Sequence, residues 1–251
     1  MDQQKFAPQM SAITISRQYG SGGGEVAARL AQRLDWQLID HEIVAQVAHS
    51  LGITEEEAEV HDERVQGLIE RALNALTAAA PLVPAPLPLT GNAEVLYNDA
   101  LRRVVEAAAN TGRVVIVGRT GQALLANRRD VLHVRIVAPL KQRIAYVAGR
   151  EGLDEAAAKV RIQLKDRDRE RYLQSQFGRN VNDPLLYDLI INTSVLGLDS
   201  AVDLISLALE RKALKLTVRT GELGPVTGLT RYPGQPADLR PPPSMTGDES
   251  Q

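Results

Sequence analysis

The sequence of 251 residues contains no cysteine, which excludes disulfide stapling and thiolate chemistry. Its four histidines, His41, His49, His61 and His133, show no ligand spacing, so no zinc site is expected and each reads as a surface or interface residue. No stretch approaches the ~18 apolar residues of a membrane span. The opening segment "MDQQKFAPQMSA" lacks a basic region followed by an apolar one, which leads to the expectation of a cytoplasmic protein that does not engage membranes. A charge excess is missing too. The 29 lysines and arginines face 31 acids, for a net charge of -2, so nothing draws the chain generally toward nucleic acid. Any anion site must therefore come from local arrangement. What is present is a hydrophobic fraction of 44%, enough for a real core in one large or two small domains.

Five short apolar runs alternate with helical patterns: "SAITIS" (11–16), "WQLID" (36–40), "RVVIVG" (113–118), "VLHVRIVA" (131–138) and "YDLIINT" (187–193). Their Val, Ile and Leu content is that of strands covered on both faces. Between the first two, Val26, Leu30 and Leu34 fall near helical spacing. Thr54 and Glu57 form a capping box ahead of a helical run to about Ala80, whose Leu68, Leu73 and Leu76 suit either a homodimer contact or internal packing. "LDSAVDLISLALERKAL" predicts a closing amphipathic helix. The alternation gives an α/β fold: a three-layer arrangement of a parallel five-stranded sheet with flanking helices. Two segments interrupt it. "PLVPAPLPLTGN" (81–92) carries four prolines and reads as an extended linker or lid edge, and residues 217–251 read as a disordered tail or a partner-binding polyproline segment.

"ITISRQYGSGGGEVAARL" (13–30) joins a strand to a helix through a glycine cluster. Such a loop binds phosphate because glycines let backbone N–H groups turn toward the anion while the helix N-terminus adds positive potential. Gly20, Ser21, Gly22, Gly23 and Gly24 occupy that place; the bland alternative is a turn that packs helix on strand. In the pattern G-x-x-x-x-G-K-[ST], the lysine position falls on Gly23, the hydroxyl positions on Gly24 and Glu25, and the first glycine on Arg17. Glu25 either helps hold a magnesium ion or is an ordinary first-turn helix charge.

These residues resemble the cytidylate kinase family of nucleoside monophosphate kinases, and more closely its bacterial cytidylate kinase-like branch. The resemblance runs through residues 13–40, through "IVGRTGQALLANRRDVLHVRIVAP", and through "DRDRERYLQSQFGRNVNDPLLYDLIINTSVLGLDSAVDLI", covering roughly 11–212. It implies a domain over 11–216 after an N-terminal tail (1–10), with a helical acceptor-side insertion (41–110) and an arginine-bearing lid (154–186). The branch commonly carries an arginine where this chain has Gly24.

Phosphoryl transfer needs charge neutralisation and in-line positioning, for which the arginine fork is suited. "KDRDRERY" places Arg167 and Arg171 on one helical face with Arg169 offset, while Asp166, Asp168 and Glu170 alternate with them as in a solvated helix. The resemblance makes this segment the lid. Arg119 directly follows a strand, where ligands of open α/β sheets bind. The resemblance implies that it contacts the acceptor phosphate, although Thr120 stands where the family motif usually has an acid. Asp40 either belongs to the acceptor site or N-caps the next helix, and Arg102 adds acceptor-side charge. Lys141, Arg143 and Arg150 read as a solvated basic face.

The expectation is therefore an ATP- and Mg²⁺-dependent kinase for CMP, dCMP or UMP. Its partners would be nucleotide substrates. Arg17, Arg167, Arg169 and Arg171 would be at the chemistry, and Arg17 would stand in for the missing lysine. The alternatives are a nucleotide sensor that has lost catalysis, and a kinase for another small acceptor.

Overall fold

A computed structural model of the chain describes residues 9–40, 93–118 and 120–223. The helical run from Thr54, the proline segment 81–92, Arg119 and the chain beyond 223 lie outside the described residues.

All five expected strands form: β1 (Ala12–Arg17), β2 (Gln37–Ile39), β3 (Val114–Val117), β4 (Val131–Val137) and β5 (Leu189–Asn192). They make one fully parallel sheet in the order β2-β3-β1-β4-β5. Parallel neighbours need crossovers, which carry α1 (Gly23–Leu34), α2 (Ala93–Thr111), α3 (Gly121–Leu124), α4 (Leu140–Glu151) and α5 (Glu155–Phe177), while α6 (Thr193–Ala213) follows the last strand. The chain divides into two compact units, Met1–Leu216 and Thr217–Gln251. In the second, a short turn at Thr220–Glu222 carries an Arg219–Glu222 ion pair of 2.9 Å.

Alternation along the strands sorts the core into two layers. Ile13, Ile15, Val134 and Ile136 face α1 and α6, packing against Val26, Leu30, Val202 and Ile205. Ala12, Val114, Ile116 and Val131 face the other way, against Val104, Val105 and Ala108 of α2. Burial on both sides is why the strands read as nearly unbroken apolar runs. Each fully buried Leu or Ile contributes about 1.5–3 kcal/mol. The stop of α1 is local. Asp35 enters the left-handed region (φ 53), the Trp36 N–H donates back to the Ala31 carbonyl at 2.9 Å, and the indole turns into the core beside Ala31.

Where β1 and β4 run side by side, the second face changes character. The paired residues are Thr14 with His133 and Ser16 with Arg135, and all four are buried. His133 thus departs from the surface or interface place expected of it. Its ring nitrogen Nδ1 lies 2.8 Å from the Thr14 hydroxyl, and its backbone is bracketed by Asp188, whose carboxylate accepts from the His133 N–H (2.7 Å) and whose N–H donates to the His133 carbonyl (2.8 Å). Burial pushes the imidazole from 6.5 down to about 4, and the Lys212 charge adds to the shift against the opposing pull of Asp188.

Because the folded pKa lies below the unfolded one, the unfolded chain takes up the extra proton between these values. Stability supplied by neutral His133 is complete above pH 6.5 and is lost as pH falls toward 4. We expect urea denaturation to show a loss on the order of 2–3 kcal/mol across that window that is absent in His133→Gln. Equal pH slopes in the two proteins would refute it.

Candidate phosphate-binding site at the carboxyl end of the sheet

The turn from β1 into α1 is built by glycine geometry and by hydroxyls that point inward. Gly20 and Gly22 have φ of 78° and 77°, a region that other residues enter only at a cost. A Cβ on Gly20 would come within 2.7 Å of Val147, and one on Gly22 within 2.6 Å of Leu198. Ser21 donates to the Gln18 carbonyl through its hydroxyl (2.8 Å) and its N–H (3.3 Å), with the Ile136 carbonyl 3.2 Å from the hydroxyl, so the residue braces the loop. Thr193, at the start of α6, donates to the Ser21 carbonyl at 2.8 Å.

The first-turn amides of α1 have no helical acceptor, and no side chain caps them. Gly23, Gly24 and Glu25 therefore present uncapped N–H groups at the positive end of a 12-residue helix, which suits a phosphate. Glu25 faces α4: its Oε1 accepts from Arg150 at 2.6 Å and from the Tyr146 hydroxyl. Among the described residues, no group of three or more histidines or acids could hold a metal ion.

A second helix grips the loop. Asp166 of α5 accepts from the Tyr19 N–H at 2.7 Å with one carboxylate oxygen and from Arg143 at 2.6 Å with the other, while Arg143 also donates to the Tyr19 carbonyl (3.1 Å) and, through Nε, to the Ala138 carbonyl (3.0 Å). The backbone of one loop residue is thus held on both sides, through the two peptide groups that flank Tyr19. The Tyr19 hydroxyl donates to Glu151 at 2.5 Å, and burial together with that carboxylate raises its pKa. Val147, Ala158 and Ile162 form a small apolar cluster beneath Tyr19. Arg143, expected on a solvated face, is only 7% exposed.

The structure separates the three arginines of the "KDRDRERY" segment of α5. Arg169 turns to the loop, donating to the Arg17 carbonyl at 3.2 Å with its guanidinium 5.3 Å from the centre of the Tyr19 ring. Burial lowers its pKa from the usual arginine value. Arg167 and Arg171 instead line an open cleft of about 550 Å³ with Glu170, Gln174, Ser175 and Asn180. Arg17 extends across the end of β1 toward β3. Its guanidinium lies where a Cβ on Gly118 would be, 2.0 Å from Nη1, and its stem lies 2.6 Å from where a Cβ on Gly23 would be. Asp40 sits half-buried just past β2, two strands from the loop, and Arg102 is exposed on α2.

Sequence reasoning left out Tyr19 and Arg135, and it read Arg143 and Asp166 as solvated charges although they hold the loop. The sequence does signal Arg135: in "VLHVRIV" a charge sits within a run of buried strand positions.

With this geometry in view, the chain belongs to the cytidylate kinase-like family, whose pattern matches residues 12–195. It is 29% identical over 204 residues to the cytidylate kinase of Thermococcus kodakarensis, covering 79% of this chain and 87% of that protein. It is also 34% identical over 111 residues to the uronate isomerase of Corynebacterium glutamicum, a match that spans 44% of this chain and only 21% of that protein. Among solved structures, an uncharacterized protein from Eubacterium ventriosum superposes with a TM-score of 0.58 at 21% identity, over 80% of this chain and 98% of that one. The family match and the likeness to cytidylate kinase support a nucleoside monophosphate kinase-like protein, a family that implies general use of ATP and Mg²⁺; the solved structure supports the fold. No helix among the described residues is long and apolar enough to cross a membrane.

Two outcomes are expected from the loop. Gly23→Lys, which restores the missing lysine, sets a Cβ against the Arg17 Cβ and costs about 1–3 kcal/mol. Gly24→Arg meets nothing within 4 Å, and it shifts stability by less than about 1 kcal/mol while tightening ATP binding in calorimetry. Asp166→Asn leaves buried Arg143 without its carboxylate and lowers urea-unfolding stability by about 1–3 kcal/mol; an unchanged midpoint would refute this.

Proposed function

We propose that the protein transfers the γ-phosphoryl group of ATP to a pyrimidine nucleoside monophosphate, CMP, dCMP or UMP. The observation that carries this reading is the uncapped N-terminus of α1 with Arg169 of α5 docked on the adjoining Arg17 carbonyl. Backbone amides from Gly20 to Glu25 hold the ATP phosphates, and Arg17 and Arg169 bring charge beside them in place of the lysine. A phosphate oxygen of the acceptor forms a bond to the γ-phosphorus as the bond to the β–γ bridging oxygen breaks, and ADP leaves. Asp40, Arg102 and Arg119 serve the acceptor. Arg167 and Arg171 close from their cleft over the transferring group. Glu25, in the first turn of α1, would be the residue to hold a magnesium ion on giving up its bonds to Arg150 and Tyr146, and the ion would supply neutralisation of charge on the phosphates. The enzyme acts in the cytoplasm.

A second reading, a nucleotide sensor without turnover, is favoured by two contacts. Glu25 is already ion-paired with Arg150, and the lysine position is closed off by the Arg17 stem.

Steady-state ADP release with CMP, dCMP, UMP, AMP and GMP separates the two. We expect turnover with a pyrimidine monophosphate, and a fall in kcat of at least about a hundredfold in Arg169→Met. ATP binding by calorimetry with no ADP formed from any acceptor would establish the sensor instead.

A further inference from the structure

Arg135 is 5% exposed, yet it pairs with no carboxylate among the described residues. Its partners are neutral oxygens from three places: Ser16 at the end of β1 (3.1 Å), Asn182 in the segment returning from α5 (3.1 Å), and the Tyr187 hydroxyl (3.3 Å), with the guanidinium 5.5 Å from the centre of the Tyr187 ring. Tyr187 is itself fixed by donating to the Val181 carbonyl at 2.8 Å. Burying a guanidinium among neutral groups is costly unless an anion completes its shell.

Among the described residues, no carboxylate bonds to Arg135 to supply that anion. Ser16 and Arg17 are consecutive, so Arg135 on the Ser16 hydroxyl and Arg169 on the Arg17 carbonyl flank one dipeptide. Arg143 sits two residues further on, at the Tyr19 carbonyl. Against these three cations stands Asp166, which is 2.6 Å from Arg143 and 3.7 Å from Arg169 and also accepts from the Tyr19 N–H. Three positive charges against one negative leave an excess of two. The repulsion is felt at Arg169, where the charges of Arg135 and Arg143 both act to lower its pKa.

We propose that Arg135, reaching from the centre of β4, is a binding residue for the phosphomonoester of the acceptor nucleotide, beneath the Arg17 and Arg169 contacts at the end of β1. A phosphomonoester carries close to two negative charges at neutral pH, matching the local excess, and the guanidinium fork accepts it bidentately. The ATP phosphates, held on the amides of α1, do not depend on Arg135. The inference rests on the nucleotide-kinase reading, and the experiment keeps the two apart.

Calorimetry of CMP, cytidine, ATP and inorganic phosphate against wild type, Arg135→Lys and Arg135→Gln tests it, with circular dichroism verifying the fold of each variant. We expect Arg135→Gln to weaken CMP at least about tenfold while ATP stays within about twofold and cytidine is unchanged. Arg135→Lys, which keeps the charge and loses the fork, should fall between, and it serves as the test protein if Arg135→Gln does not fold. The proposal is overturned if the folded variants bind CMP like wild type, or if they lose ATP as much as CMP. Arg135-dependent binding of inorganic phosphate without CMP would also overturn it, in favour of a site for free phosphate. Wild type that binds ATP but no monophosphate defeats this inference and leaves nucleotide binding standing; wild type that binds none of them defeats the kinase reading as well.

Discussion

The backbone of Tyr19 is held from both sides, its N–H by Asp166 and its carbonyl by Arg143, and Asp166 and Arg143 are bound to each other. This closed set of bonds joins three elements: the glycine loop, α4 and α5. Left-handed glycines alone would give a turn with many accessible shapes, because glycine surrenders more backbone freedom on folding than any other residue. The Asp166 and Arg143 contacts select one shape. They do so with charge-assisted bonds to a partly buried peptide, where the electrostatic gain is larger than at an open surface. The uncapped amides of α1 and the docked position of Arg169 both depend on that selection.

On the proposed reading, the same arrangement would assemble a phosphate loop without a lysine of its own. Cations come from outside the loop: Arg17 from the strand before it, Arg169 from α5, and Arg135 and Arg143 from β4 and α4. Charge carried on separate elements can be moved or shielded independently, whereas a loop lysine is fixed to the loop itself. Glu25 illustrates this from the opposite sign. It is bonded to Arg150 and Tyr146, so the acid nearest the helix N-terminus is partly neutralised rather than facing an incoming anion bare.

The sheet was legible in the sequence because its inner strands β1, β3 and β4 are buried on both faces, and strands so covered are mostly apolar. The glycine loop was legible because its backbone shape demands particular residues at Gly20 and Gly22. The remainder of the site depends on contacts distant in sequence. Tyr19 meets Asp166 across 147 positions and Arg135 meets Ser16 across 119, and no local pattern encodes such pairings. Composition misdirects in the same places. "KDRDRERY" looks like a self-neutralising helix, yet Asp166 and Arg169 face inward to the loop while Arg167 and Arg171 line an outer cleft. Likewise "LKQRIAYVAGRE" gives no sign that Arg143 is buried and Arg150 is not.

The close approach of Arg17 to Gly23 constrains how this sequence could change. A lysine at position 23 would set its Cβ 2.6 Å from the Arg17 Cβ, so the two positions are coupled energetically and substitutions there do not add. Trimming Arg17 to any residue that keeps a Cβ leaves that contact in place, and only glycine there would clear it. Gly118 adds to the constraint, since its missing Cβ makes room for the Arg17 guanidinium and its φ of 75° favours glycine whatever stands at position 17. Recovering the lysine on this backbone therefore takes a shift of the main chain around positions 17 and 23 as well as the substitution itself.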